Sequence, residues 1–497
     1  MFLYVRMILI MCVSLYASRV ILDKLGVEDY GLYNVVGSVV GMLSFVTGTL
    51  SIGTSRFITY EFGTGDKRKL WLTFNTSFYT HLFLAILVLL LFETIGLWFF
   101  YHELVIPEER LDACLWVYQL SLLTTFISII QIPYTSLIQS HEHFNTYAYV
   151  SIFEALAKLG ICYLITITIW DKLIIYALLI ALIQLFVALY FCYYCNRHFE
   201  ESNLSIIFDR LIFRQLIGFS GWNIVANLSE MLRVQGVIVI INIFLSPVVV
   251  AAQAISNQVS NALMGFVNNF RTALNPQIIK LYAAGERDSS KKLTLQTTVI
   301  CFDMLLIMAL PCIYTMDVIM DIWLVEVPDY AVIFTQFIFI SNIIRTFDAS
   351  FYIPMMAANE IKTNSLAAVI FSFLQYAVLC IALYLGGGAL WVPILSLVVG
   401  AIFSFIVKPY VLWRYIDYSV SDLSGCYWSC AKVLICSCLT TLPFLCFFEQ
   451  SVWEALVMIF ISVISVGVFS FVFMEKDMRI KLQTVISRKM HSFYVGE

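Results

Sequence analysis

Charge is what this sequence has least of. Only 12% of its 497 residues are Asp, Glu, Lys or Arg, about half the share of a soluble domain. Hydrophobic residues make up 61% and the mean hydropathy is +0.89. A water-soluble fold has no interior large enough for so much apolar side chain, so the composition excludes soluble classes and implies a polytopic membrane protein. The formal net charge of −4 says little, because the position of charges matters more than their sum. Long polar stretches are also missing. The widest break between apolar runs, from about Asn196 to Phe213, leaves no room for an inserted soluble domain. There is no Gly-rich phosphate loop, which argues against direct ATP hydrolysis. Histidine is scarce, with 6 residues. The "HEH" of His141 to His143 looks metal-like but falls in a short loop, where solvation is the expected state. The 13 cysteines lie mostly within apolar runs, as at Cys162, Cys301 and Cys380, where thiols pack rather than bridge. Cys426, Cys430, Cys436 and Cys438 cluster with no histidine nearby, so neither a metal nor another cofactor is expected. The first segment, "MFLYVRMILIMCVSLYASRVIL", lacks a small-residue cleavage site and has the length of a span. It is expected to stay in the membrane.

Apolar runs of about 20 residues recur about 14 times. The predicted fold class is therefore an all-α polytopic membrane protein with about 14 transmembrane helices. Basic residues crowd the loops of one face, beginning with Lys67, Arg68 and Lys69 and ending with a tail that holds Lys476, Arg479, Lys481, Arg488 and Lys489. Lys408 is counted on this face too. The opposite face has only Lys24, Arg110 and Lys172, a ratio of roughly 18 to 3. The basic face and both termini are predicted to be cytoplasmic.

A faint repeat relates "YEFGTGDKRKL" (Tyr60 to Leu70) to "YAAGERDSSKKL" (Tyr282 to Leu293). Without a gap this alignment sets Leu25 opposite Pro247, so turn falls on turn. The units share one orientation, which describes a parallel repeat with a cavity between two bundles. The alternative is that two basic loops resemble each other by composition. The repeat predicts a six-helix lobe over 1–200, a second over 201–415, two extra helices over 416–475 and a basic tail over 476–497. Within "LGVEDYGLYNVVGSVVGMLS" (Leu25 to Ser44), Gly37 and Gly41 form a small-xxx-small pattern suited to close helix approach. Gly31 is expected to ease entry after the turn, and Asn34 to face a neighbouring helix or the cavity.

Charges inside spans are costly and by default face a cavity or a partner. Glu154 and Lys158 are spaced i,i+4. Glu230 and Arg233, like Arg345 and Asp348, are spaced i,i+3, so each pair shares a helix face. Such pairs serve either as structural ion pairs or as lumenal groups. Arg6, Arg19, Arg56 and Arg271 have no local acid. Arg19 and Arg56 lie near span ends, where snorkelling is the alternative to a cavity role. Arg271 lies deeper, in "NNFRTALNPQ", a run polar enough to require water or protein around it. Guanidinium groups in a cavity suit a phosphate-bearing substrate. Glu93, Asp303 and Asp348 are the acids able to carry a coupling ion, or to act as fixed partners of arginines.

"LYVRMILIMCVSLYASRVILDKLGVEDYGLYNVVGSVVGMLSF", then "TSRFITYEFGTGD", resembles the start of bacterial Wzx-type polysaccharide flippases (O-antigen or capsule repeat-unit) of the multidrug/oligosaccharidyl-lipid/polysaccharide exporter superfamily. "LNPQIIKLYAAGE" resembles the matching segment of the second half. The resemblance implies two six-helix lobes around a central cavity, plus two extra helices. It also implies alternating access that moves undecaprenyl-diphosphate-linked oligosaccharide from the cytoplasmic to the periplasmic leaflet of the inner membrane. Family members have a few residues before this pattern, so a slightly longer native N-terminus is expected. By motif match, Arg6, Arg19, Arg56 and Arg271 are implied as substrate-binding; Lys158, Arg233 and Arg345 follow by span position. The implied partners are the lipid-linked oligosaccharide, membrane lipids and polysaccharide polymerase machinery, with no nucleic acid. Two other classes stay open. A drug or cation antiporter would use lumenal acids such as Glu93, Asp303 and Asp348. A polysaccharide polymerase or ligase would call for a substantial periplasmic loop, and the loops here are short.

Overall fold

The computed structural model describes residues 2–214, 216, 228, 231–358, 360–445, 451–475 and 479. The first half of the chain forms α1 (Phe2–Leu25), α2 (Val27–Gly41), α3 (Ser44–Thr64), α4 (Lys67–His102), α5 (Leu111–Ser140), α6 (Phe144–Ile167) and α7 (Lys172–His198). The second half forms α8 (Val237–Phe244), α9 (Pro247–Ala283), α10 (Arg287–Tyr314), α11 (Met316–Trp323), α12 (Ala331–Ala357), α13 (Ile361–Tyr384) and α14 (Trp391–Tyr415). The terminal pair is α15 (Val420–Leu445) and α16 (Val452–Phe473). The described residues contain no strand, so the all-α polytopic class holds.

Ten helical segments among the described residues are long and apolar enough to cross a membrane. Neither α9 nor the α2–α3 pair is one of them. The first 15 residues of that pair end at Gly41, too short to span alone. In α9 the polar side chains Gln253, Ser256, Asn257, Gln258, Ser260 and Asn261 dilute the apolar run. These two polar segments occupy equivalent places in the two halves. Val27 and Pro247 each open a helix, and Asp66 and Glu286 each stand immediately before the next one, so each pair is 220 residues apart. That register sets Pro247 opposite Val27 rather than Leu25, a shift of two from the ungapped alignment. Gly65 and Gly285 then correspond, and both have positive φ, at 74° and 82°.

Packing divides the chain into two compact units. The first comprises 1–259, 323–334 and 365–395; the second comprises 260–322, 335–364 and 396–497. Among its described residues the first unit has two hydrophobic cores. One lies by the turns at 26, 103–107, 168–171, 245–246 and 385–390, on the face opposite the basic loops. It joins Leu32, Val35, Val36 and Val39 of α2 and Tyr118 of α5 to Val237, Ile238 and Ile241 of α8. Val250 and Ala252 of α9 and Leu379 and Leu383 of α13 complete it. The other lies toward the basic face and joins Ile58, Phe74, Tyr134, Leu137, Phe191 and Phe199, all from the first half.

The core opposite the basic face is closed by specific contacts. Gly26, at φ 85°, lets α1 reverse into α2 in a single residue. A Cβ on Gly31 would stand 2.0 Å from the Pro247 carbonyl oxygen, so only glycine lets α2 approach α9 there. Gly41 would press on Gln235 at 3.1 Å, whereas a Cβ on Gly37 would meet nothing within 4 Å. The close approach thus falls on Gly31 and Gly41 rather than on Gly37 and Gly41. Asn34 returns its amide to the Tyr30 carbonyl at 2.7 Å, satisfying itself on its own helix. The buried Asn242 of α8 donates to the Val105 carbonyl at 3.1 Å and accepts from the Val105 N–H at 3.0 Å. It thereby pairs both backbone groups of a loop in the first half.

Three hairpins of the first half are tied at that face by Arg110, which donates to Asp29 and, at 2.6 Å, to Asp171. Asp171 also caps α7, accepting from Leu173 and Ile174 N–H at 2.9 and 3.2 Å. Burial works to raise the Asp171 carboxyl, but the Arg110 bond and the helix N–H groups outweigh it and hold it below the ordinary carboxylate value.

At the basic face the chain between the halves is fastened to α4. Asn203 O accepts from Trp71 Nε1 at 3.0 Å and Asn75 Nδ2 at 3.2 Å, while Asn75 Oδ1 and Thr76 Oγ1 take the N–H groups of Ser205 and Asp209. Nearby, His141 pairs with Glu201 at 2.8 Å and stacks on Phe199 with centroids 4.0 Å apart. The "HEH" segment is therefore a packed corner rather than a solvated loop, and no metal-ligating cluster occurs among the described residues.

Candidate functional site

The sequence-predicted residues of the first unit are dispersed in character. Arg19, on α1, is half-buried, and Arg56, on α3, is exposed; neither is without an interaction partner. Lys158 binds Glu154 at 2.7 Å on the partly exposed face of α6, the expected i,i+4 pair. Glu93 sits in a π-turn, Phe92–Gly96, within α4 and accepts from Gln119 Nε2 at 3.3 Å. That turn leaves the Phe92 carbonyl to the Tyr118 hydroxyl at 2.7 Å, and Gly96 is required because a Cβ would lie 2.3 Å from the same hydroxyl. The Arg6 and Arg233 side chains and Glu230 lie outside the described residues.

The second unit assembles a charged cluster on α9, α12 and α14. Arg271, buried at 7% exposure, donates from Nη2 to Asn268 Oδ1 at 3.0 Å, while its Nε has no acceptor. The Cys301 thiol of α10 lies against its guanidinium, and Asp348 is within electrostatic reach. Asp348 is held by Lys408 at 3.1 Å. Lys408 is itself only 3% exposed, with Nζ 4.9 Å from the centroid of the Tyr352 ring and Arg345 close enough to repel it. The Arg345 stem packs on Gly400, where a Cβ would stand 3.3 Å from its Cγ. Three cations and one carboxylate therefore share one neighbourhood. Arg271 lies roughly 18 Å, counted along its helix, from the end of α9 at the basic face.

Lys408 is the residue that sequence reasoning misplaced. The loop tally sets it among the charges of the basic face, yet it is buried inside α14. The signal was available: "FSFIV" precedes it and "YVLW" follows, so the lysine interrupts an apolar run rather than ending one. The partner of Asp348 was equally hidden, since its i,i+3 neighbour Arg345 offered a local answer.

Asp303 is placed elsewhere. It is buried in the seam between α10 and the terminal pair, near Ser470 of α16 and Cys430 of α15, and its Oδ1 has no hydrogen-bond partner.

No family model matches the sequence, and no curated protein does. Solved structures do match. The lipid II flippase MurJ, in an inward closed conformation, aligns with a TM-score of 0.68 at 12% identity, over 95% of this chain and 98% of that one. A multidrug resistance MATE family transporter of the MOP superfamily, in its inward-facing conformation, also gives 0.68, at 14% identity over 82% of this chain and 96% of that one. An outward-facing MATE family transporter gives 0.53 at 14% identity, over 83% and 94%. The chain has the fold of MOP-superfamily transporters. Lipid flippase and drug transporter share that fold, so the fold leaves the substrate to the chemistry of the site.

Proposed function

We propose that the chain is a Wzx-type flippase, which carries undecaprenyl-diphosphate-linked oligosaccharide from the cytoplasmic to the periplasmic leaflet of the inner membrane by alternating access. The observation that carries this reading is the cluster of Arg271, Arg345 and Lys408, three cations gathered around one acid, with a buried Arg271 donor that has no acceptor. A buried guanidinium donor without an acceptor is costly unless a ligand completes it, and a diphosphate is the matching acceptor. The greasy tail of such a substrate can remain in lipid, so the protein has to shelter only the charged head and glycan. Arg6, Arg19, Arg56, Lys158 and Arg233 are proposed as further contacts along the path, and Glu93, Asp303 and Asp348 as acids available for ion coupling. On this reading both termini are cytoplasmic and the product is handed to polysaccharide polymerase machinery.

The core opposite the basic face supports an inward-accessible state, because there the two halves of the chain are sealed by α2, α8, α9 and α13. The reach of the MurJ match, 95% of the chain against 82% for the MATE transporter, favours a flippase over drug export. The test is reconstitution in vesicles with a fluorescent lipid-linked oligosaccharide. Flipping that is lost in Arg271→Ala supports the assignment. Absent flipping, together with drug resistance lost in a deletion strain, would move the chain to the antiporter class.

A further inference from the structure

Lys408 poses a problem that substrate binding alone does not explain. A charged lysine 97% hidden from solvent needs a counter-charge, because an unpaired ammonium in such a place is strongly destabilising. In this structure Asp348 supplies it at 3.1 Å. The Asp348 side chain is 24% exposed, so the acid is the more accessible member of the pair. Arg271 is within reach of the same carboxylate and keeps one donor free.

We propose that Asp348 is a displaceable internal counter-ion, occupying beside Lys408 the position that a diphosphate takes when substrate enters. The proposal rests on the flippase reading for the identity of the anion. A diphosphate linked on both sides brings two negative charges, and the three cations accommodate them once the carboxylate swings toward water. The exchange keeps Lys408 neutralised throughout. It also has a mechanical consequence. Asp348 stands on α12 and Lys408 on α14, so their bond ties two helices in the empty state. Replacing it with a ligand releases that tie, which is the differential contact between states that an alternating-access cycle requires.

Binding to the full-length protein in detergent tests this, with farnesyl diphosphate as the lipid-linked probe and inorganic pyrophosphate as the free anion. Removing the competing carboxylate in Asp348→Asn is expected to tighten farnesyl diphosphate about tenfold, and Lys408→Gln to weaken it about tenfold. In the Lys408→Gln background the Asp348→Asn gain should shrink to about threefold or less, since no lysine remains to be released. Equal gains in both backgrounds, or a loss in Asp348→Asn, would overturn the counter-ion role and leave the flippase reading standing. No binding of farnesyl diphosphate to the wild type overturns both. Pyrophosphate binding as tightly as farnesyl diphosphate would mark the site as one for free anions and overturn the proposal as stated. Should Asp348→Asn not fold with Lys408 unpaired, isotope-edited infrared difference spectra of the wild type decide the matter. A shift of an aspartate carboxylate band on adding farnesyl diphosphate, absent from the double variant, is the expected result, and an unchanged band overturns the exchange.

Discussion

The two hydrophobic cores of the first unit differ in which parts of the chain they join. Near the basic face, Ile58, Phe74, Tyr134, Leu137 and Phe191 come from one half of the chain, held together by short helical hairpins. At the opposite face, α2 and α5 meet α8, α9 and α13 from the other half. The first core stays intact if the halves move as bodies, while the second has to come apart. Its chemistry suits that demand. The residues between α2 and α8 are mostly Val and Ile, which pack on surfaces without interlocking rings. Among the described residues the specific contacts across it are Asn242 on Val105, Gly31 under Pro247 and Gly41 against Gln235. The other core interleaves aromatics, with Phe74 and Tyr134 edge to face at 5.3 Å. A seam held by a few hydrogen bonds and smooth apolar contact is easier to break reversibly than one of interlocked rings.

The comparison can be broken most severely at Gly31. Gly31→Val puts a branched side chain where a single Cβ already overlaps the Pro247 carbonyl, so the seam cannot close. Transport is expected to fall at least tenfold, while α8 becomes reactive to a membrane-impermeant maleimide at an introduced cysteine. Retained transport would show that this closure is not part of the cycle. Phe74→Ala strikes the other core. It should cost about 3 kcal/mol of stability, the low end of the aqueous range because transfer to lipid contributes little. Maleimide access at α8 should not change; a change there would mean that the two cores do not act separately. Asn242→Leu leaves the Val105 N–H and carbonyl unpaired and should shift the balance toward the open seam by about 2 kcal/mol. The expected readout is graded labelling at α8, weaker than in Gly31→Val.

The smallest effect is expected at Arg110. Arg110→Gln frees Asp29 and Asp171 and should lower the melting temperature in detergent by a few degrees. The sign with pH follows from Asp171, whose folded carboxyl is held below its ordinary value of 3.8. Its contribution is fully present above that value and is lost as pH falls through the lower, folded one. Wild type and Arg110→Gln melting temperatures should therefore converge in strong acid. A gap that persists there would assign the loss to packing.

Sequence and structure agree unevenly, for identifiable reasons. The i,i+4 pair of Glu154 and Lys158 was legible because both partners sit on one helix, where spacing dictates contact. The Lys408–Asp348 pair was not, because it joins two helices 60 residues apart and no local pattern encodes which helices become neighbours. Gly31 and Gly37 looked alike in one apolar run, yet one lies under a carbonyl and the other faces open space. That Arg271 is kept from lipid was legible because asparagines and a proline surround it, and a segment that polar is stable in the membrane only with water or protein around it; that protein rather than open water covers it was not.

By itself, the sequence determined the membrane setting, the all-α class and the polar character of the α9 segment. These depend on transfer free energies and helix periodicity, which act residue by residue. Tertiary structure alone decided which glycines admit a neighbouring helix, that Lys408 is buried, that Asp348 neutralises it and that Asp303 belongs to the seam with the terminal pair. Each depends on the relative placement of helices far apart in the chain, set by packing that no local spacing specifies.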